Sequence, residues 1–215
     1  MKFDAEKSQI VESLQNAAAV AERRQTIPIL ANVRLKTLNG KLEVTATDLE
    51  IQIKTYSELI NIEEEGETTV SARKMSELCR SLPDGEKVNF SLTSGKLTVR
   101  ANNFHADFAT ISPDDFPEIE INEELNPLKI NSSILKRVLT KTSFSMASQD
   151  VRYYLNGMLL EVQGSKINGV ATDGHRLALS SSSSVDSNLE VRNILPRKAV
   201  LELSKLLSAD DKDIN

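Results

Sequence analysis

Apolar residues recur at helical spacing in four places along the chain and alternate with polar residues over much of the remainder. Ile10, Leu14, Ala17 and Ala18 predict a helix over residues 6–20, and Ile134, Leu135, Val138 and Leu139 predict a second over 132–146, opened by Ser132 or Ser133 as a cap. Shorter helices are expected at about 72–82 and 197–207. Strand-like runs occupy Val33–Thr37, Lys41–Thr47, Glu50–Ser57, Lys87–Leu92, Lys96–Ala101 and Phe104–Thr110, with hairpin turns at Asn39-Gly40 and Ser94-Gly95.

This pattern is written twice, 125 residues apart. Leu30, Leu35, Lys41, Ala46, Thr47 and Asp48 recur as Leu155, Leu160, Lys166, Ala171, Thr172 and Asp173, and the register extends to Ile10/Leu135, Leu14/Leu139, Glu77/Glu202 and Leu82/Leu207. An ungapped match of this length indicates a duplicated unit, each copy presenting similar faces to a similar neighbour. The element order implies an α+β fold of repeated domains, each with helices on one face of antiparallel sheets. The first domain is expected at 1–124 and the second at 125–215. Asn215 maps onto Phe90, so nothing in the second copy answers to the rest of Val88–Ile111, and the second domain reads as truncated. An unfinished sheet would leave an apolar face and a bare edge, which marks the sequence as part of a longer protein.

Composition places the chain among globular proteins, with 40% hydrophobic and 27% charged residues. No run approaches a membrane span and no signal peptide opens the chain, so a cytoplasmic location and no membrane partner are expected. The single cysteine, Cys79, excludes an internal disulfide and a thiolate metal cluster; its spacing from Met75 and Leu82 assigns it to a helix core. Net charge becomes informative when divided at the repeat. Residues 1–125 carry 14 basic against 22 acidic side chains (−8), and residues 126–215 carry 12 against 9 (+3). Segregated charge permits a basic surface on an acidic protein.

The basic residues collect on the expected helices: Arg73, Lys74 and Arg80, then Lys136, Arg137, Lys141, Arg197, Lys198 and Lys205. Such cations suit contact with phosphates, although the solvated face of any amphipathic helix looks the same. The connectors after the first helix of each copy place Arg24 and Gln149 at equivalent positions, and Tyr153 and Tyr154 stand beside Arg152. Adjacent tyrosines and a cation can pack on bases, sugars or phosphates, or can seal the edge of a core.

The strings Thr26-Ile-Pro-Ile-Leu30, Gln149-Asp-Val-Arg-Tyr-Tyr-Leu-Asn-Gly157, Ala171-Thr-Asp-Gly-His-Arg-Leu177 and Pro196-Arg-Lys198 resemble the bacterial sliding-clamp family, the beta subunit of the replicative DNA polymerase III holoenzyme. The resemblance covers the whole chain. It implies a three-domain subunit whose third domain is absent here, and a ring-shaped homodimer at full length with helices lining a channel around double-stranded and primed DNA. The DNA-contacting residues it implies are Arg24, Arg73, Gln149, Tyr153, Tyr154 and Lys198. Ser148 departs from the histidine of the best-known members, which puts a contact there in question. The resemblance also implies a pocket for short peptide motifs of the DNA polymerase III core, the clamp loader and repair polymerases, with Leu155, Thr172, Gly174, His175, Arg176 and Leu177 as the wall supplied by this chain. Phe104, Ala106 and Phe108 would form the dimer edge.

An enzyme is not expected. Asp173, His175 and the serines at 180–184 lack the strand-turn-helix elbow of a nucleophile, and the serine run reads as a flexible loop. His105 and His175 fall in different copies, no Gly-rich phosphate loop is present, and no metal or cofactor is implied. The rival reading is a scaffold that binds only proteins, its basic face serving solubility.

Overall fold

The computed structural model describes residues 1–21, 27–102, 104–119, 128–183, 190–207 and 212–215. The chain divides into two compact units, Met1–Glu120 and Ile121–Asn215. The first unit contains β1 (Lys2–Glu6), α1 (Lys7–Val20), β2 (Asn32–Leu38), β3 (Lys41–Thr47), β4 (Gln52–Glu58), β5 (Asn61–Glu64), β6 (Gly66–Ser71), α2 (Ala72–Ser81), β7 (Lys87–Thr93), β8 (Lys96–Ala101) and β9 (Phe104–Ala109). Its antiparallel sheets run β4-β3-β2-β6 and β5-β1-β7-β8-β9. Helix α1 turns Ile10, Leu14, Ala17 and Val20 inward, and α2 contributes Met75 and Cys79. Phe3 and Phe90 stack at 4.6 Å between adjacent strands at the centre of this core. Burial of each such side chain contributes roughly 1.5–3 kcal/mol.

The second unit contains β10 (Ile130–Asn131), α3 (Ser132–Thr142), β11 (Gly157–Gln163), β12 (Lys166–Thr172), β13 (Leu177–Ser182), β14 (Glu190–Pro196), α4 (Arg197–Leu206) and β15 (Asp213–Ile214). Its four-stranded sheet, β13-β12-β11-β14, repeats the order β4-β3-β2-β6. The register repeats too: Arg34 pairs with Thr45 as Leu159 pairs with Val170. Pairing of β10 with β15 echoes that of β1 with β7, shifted by one residue, so the counterpart of β7 has begun before the sequence ends.

Several expectations need correction. The helix expected over 132–146 stops at Thr142 and continues as a 3-10 turn over Ser143–Ser145, where the run Thr-Ser-Phe-Ser supplies no strong helix former. Ser180–Ser182 do not form a loop: they lie in β13, paired with Ile167–Gly169 of β12, because cross-strand hydrogen bonds need only backbone. Strands β5, β6 and β14 were not anticipated. In β5 and β14, Glu63, Glu64, Arg192 and Asn193 dilute the alternation that would reveal them, and ladder pairing overrides that weak signal. The two hairpin turns form as expected, Asn39 and Gly40 at φ 51° and 80°, Ser94 and Gly95 at 49° and 74°.

Candidate functional site

Helices α2 and α4 carry the same charge pattern in the repeat register: Arg73 and Lys198 in the first turn, Glu77 and Glu202 in the middle, Arg80 and Lys205 in the last turn. Arg73 is 72% exposed, and its Nε donates to Glu77 at 2.8 Å; Lys205 bonds Glu202 at 2.7 Å. Each basic helix face thus also carries a glutamate between its cations. Exposed pairs of this kind are worth a few tenths of a kcal/mol, so the cations exchange readily to another anion. Arg137 and Lys141 are exposed on α3, while Lys136 folds back to donate to the Leu207 carbonyl at 2.7 Å.

The connector between α3 and β11 holds Gln149, Tyr153 and Tyr154. It is closed by a hydrogen bond from Ala147 N–H to Leu155 carbonyl, 2.9 Å, and Leu155 is buried at its base. The Asp150 carboxylate accepts from Arg152 three times: backbone N at 2.8 Å, Nε at 3.0 Å and Nη2 at 2.9 Å. Asn156 fastens the other side, its amide bonding the Asp150 N–H and carbonyl at 2.9 and 2.8 Å. The side-chain bonds from Arg152, reinforced by its backbone N–H, lower the Asp150 pKa to about 2. This framework holds Gln149 at φ 65°, a left-handed conformation that costs a glutamine about 1 kcal/mol or more. It also leaves Tyr153 83% and Tyr154 50% exposed, edge to face with ring centroids 5.9 Å apart. Arg24 lies outside the described residues.

Of the expected pocket residues, Leu155 lies buried in the connector and the other five span the turn from β12 to β13. Thr172 Oγ1 donates to the Arg176 carbonyl at 2.8 Å and accepts from Gly174 N–H at 3.1 Å. Asp173 accepts from the backbone N–H groups of His175 and Arg176, both at 3.0 Å, and these bonds hold its carboxyl below the usual carboxylate range. The first unit builds the same turn with Thr47 and Asp48. The repeated Ala-Thr-Asp string is therefore a turn signature in both copies, and the residues that differ in the second copy add its distinct chemistry. Gly174, at φ 88°, stands against Arg152. Arg176 donates to the Phe144 carbonyl at 2.7 Å and lies over the Phe144 ring at 5.5 Å. Leu177 is 64% exposed, presenting an apolar anchor point beside the turn.

Strand β9, ending at Ala109, is the outer strand of its sheet. Phe104, Ala106 and Phe108 oppose Ala101, Val99 and Leu97, on the side of the sheet facing the core. Phe108 packs on the core, whereas Phe104 stays 39% exposed at the end of the edge.

Sequence reasoning missed Asp150, Asn156 and Phe144, which position the connector and turn. The available signal was Asp150-x-Arg152, the spacing at which an aspartate accepts from the backbone two residues on. Among the described residues no group of three metal-ligating side chains gathers, and no helix is long and apolar enough to cross a membrane.

Comparison with known proteins assigns the lineage. Residues 1–120 match the N-terminal domain of the DNA polymerase III beta subunit and residues 129–215 match its central domain. The beta sliding clamp of Pseudomonas aeruginosa is 41% identical over 215 residues, covering 100% of this chain and 59% of the relative; that of Escherichia coli K12 is 38% identical over 214 residues, covering 100% and 58%. The crystal structure of the P. aeruginosa clamp bound to griselimycin superposes with a TM-score of 0.92 at 42% identity, covering 99% of this chain and 58% of that one. A Caulobacter crescentus clamp also gives 0.92, at 30% identity, covering 99% and 59%. The chain thus spans somewhat over half the length of these relatives. With both domain types matched in order across two units of one repeated fold, the chain belongs to the DNA polymerase III beta-subunit family.

Proposed function

We propose that this chain is the N-terminal and central part of a cytoplasmic processivity factor, a non-enzymatic clamp that encircles double-stranded and primed DNA and tethers the replicative polymerase. The observation that carries this reading is the cation pattern repeated on α2 and α4: Arg73, Arg80, Lys198 and Lys205 recur at matching positions, with Arg73 and Lys205 in exposed, exchangeable ion pairs and Arg80 exposed, as suits phosphate. Contacts should be few and mobile, because a ring that holds by topology must still slide. Arg24, Arg73, Gln149, Tyr153, Tyr154 and Lys198 are assigned to DNA. Leu155, Thr172, Gly174, His175, Arg176 and Leu177 are assigned to apolar peptide motifs of the polymerase III core, the clamp loader and repair polymerases.

The domains are taken as 1–124 and 125–215, followed in the full-length protein by a third. Ring closure as a homodimer is assigned to β9, with Phe104, Ala106 and Phe108 along the edge that adds to a strand of the other subunit. The test is retention of full-length protein on DNA in moderate salt. Retention on circular DNA and loss from linear DNA supports encirclement; equal retention on both, or on neither, refutes it and favours a scaffold that binds only proteins.

A further inference from the structure

Two guanidinium groups tie the connector at 143–156 to the turn at 172–177. Arg176 reaches from the turn to the first part of the connector, where it holds the Phe144 carbonyl and covers the Phe144 ring. Arg152 reaches the other way. Its guanidinium is gripped on one side by Asp150 and on the other lies against Gly174, where a Cβ would stand 3.2 Å from Nη2 and 3.7 Å from Nη1. A Cβ there would press the guanidinium back by a few tenths of an ångström, and Gly174 also adopts a φ of 88° that favours glycine. The charged groups facing this junction are Asp150, Asp173, Arg152, Arg176 and His175, with His175 close enough for its charge to lower the Asp150 pKa.

The residues on either side of Arg152 belong to different tasks under the function proposed above, on which this inference rests. Asp150 fixes the segment in which Gln149 is strained and Tyr153 and Tyr154 project, and Gly174 belongs to the peptide pocket. A ligand that presses on the turn at Gly174 must move the Arg152 fork or be resisted by it. Any movement of the fork changes the bonds that hold Asp150, and with them the presentation of Gln149 and the tyrosines. We infer that Arg152 is a positioning residue that couples the DNA-contacting connector to the peptide pocket, so that each ligand alters the affinity of the other by the same factor. Arg suits the role because its planar fork bonds Asp150 through Nε and Nη2 while its Nη1/Nη2 edge lies toward Gly174; a lysine offers a single point charge.

The test uses the full-length protein, a synthetic peptide carrying the replicative polymerase's clamp-binding motif as the pocket probe, and a short DNA duplex at low salt. The dissociation constant of the peptide is measured by calorimetry with and without saturating duplex. The wild type should show a shift of at least about 5-fold, the lower end of ordinary couplings. Arg152→Gln and Asp150→Asn should each reduce the shift below about 2-fold while both ligands still bind, and Arg152→Lys should give an intermediate shift. Circular dichroism and hydrogen exchange establish that each variant is folded. A structural lesion alone would weaken one ligand or both and leave the ratio unchanged. Persistence of the full shift in folded Arg152→Gln, or a wild type that binds both ligands without any shift, overturns the inference. Failure of the wild type to bind the peptide, or to bind the duplex at low salt, overturns the functional reading itself; release from linear DNA in moderate salt does not.

Discussion

At Gly169 strand β12 comes close under α3, and a single methyl group there tests whether packing sets the position of the helix. A Cβ at Gly169 would lie 2.6 Å from Val138 Cγ1, 3.4 Å from Met158 Sδ and 3.5 Å from Thr142 Oγ1. All three neighbours are fully buried, and Val138, β-branched on a helix, has one strongly preferred rotamer. Two effects compete in Gly169→Ala. Loss of glycine's flexibility within a strand favours alanine by roughly 0.5–1 kcal/mol. Overpacking a filled core costs about 1–3 kcal/mol. Contact as close as 2.6 Å places this site toward the upper part of that range, so a net loss of about 1–2 kcal/mol is expected.

The repeat supplies the control. The counterparts of Val138 and Gly169 in the first unit are Ser13 and Val44, with the bulk on the strand and the small residue on the helix. Val138→Ala should therefore relieve the clash, and the double variant should be at least about 1 kcal/mol more stable than the sum of the single effects. Native-state hydrogen exchange of the β12 amides reads the second unit separately from the first. A neutral Gly169→Ala, or strict additivity with Val138→Ala, would refute the argument that α3 is seated by this contact.

Other perturbations probe different links. Lys54 and Arg34 bond Glu118 and lower its pKa from the ordinary 4.5 to about 2. A depressed folded value means the stabilisation is present above about 4.5 and is lost as pH falls toward about 2. Because the Glu118 side chain is 37% exposed, screening limits the effect to about 1 kcal/mol, and Glu118→Gln should destabilise the first unit in denaturant titrations at pH 7 but not at pH 2. Glu77→Gln should strengthen low-salt DNA binding by releasing Arg73, whereas Arg73→Ala should weaken it and reduce the slope of log K against log salt by about 1; an unchanged slope removes Arg73 from the contact set. Leu179→Lys with Ile194→Thr should change stability by less than about 0.5 kcal/mol, since both side chains are half-exposed or more, yet reduce binding of an apolar fluorescent dye; undiminished dye binding would show that these residues form no apolar patch.

Much of this fold was legible in the sequence because the buried rows of the sheets obey a simple rule. Leu35, Leu42 and Ala46 recur as Leu160, Ile167 and Ala171, and a shift of register by one residue would expose every one of them. Helices α1 to α4 were legible for the same reason. Strands β5 and β14 were not, because their outward positions hold acids, asparagine and arginine, and only pairing with β1 and β11 fixes them. At the candidate site the exposed Gln149, Tyr153 and Tyr154 could be named from their types and neighbours, and Arg176 only from the family resemblance. The contacts that position them could not be read, because Arg152 to Gly174 and Arg176 to Phe144 join segments 22 and 32 residues apart through backbone atoms and one aromatic ring, which leave no periodic trace.

The two copies diverged where that rule is silent. On the outer face of the first sheet, Lys54, Thr45, Arg34 and Thr69 form one cross-strand row, and the segment Ile111–Ile119 lies over it. Glu118 bonds Arg34 and Lys54, Phe116 receives the Arg34 guanidinium at 5.6 Å, and the Ile111 backbone pairs with Thr69. The same row in the second sheet is Leu179, Val170, Leu159 and Ile194. Four positions thus changed from polar to apolar with no shift in strand pairing. That is possible because α1 and α3 pack against the opposite face, so register is enforced from one side only. The outer row was free to acquire whatever chemistry its own covering required. A chain that reuses one scaffold can keep its geometry through the inner rows and vary its partners through the outer ones. This explains why the cross-strand registers match while the two outer surfaces do not.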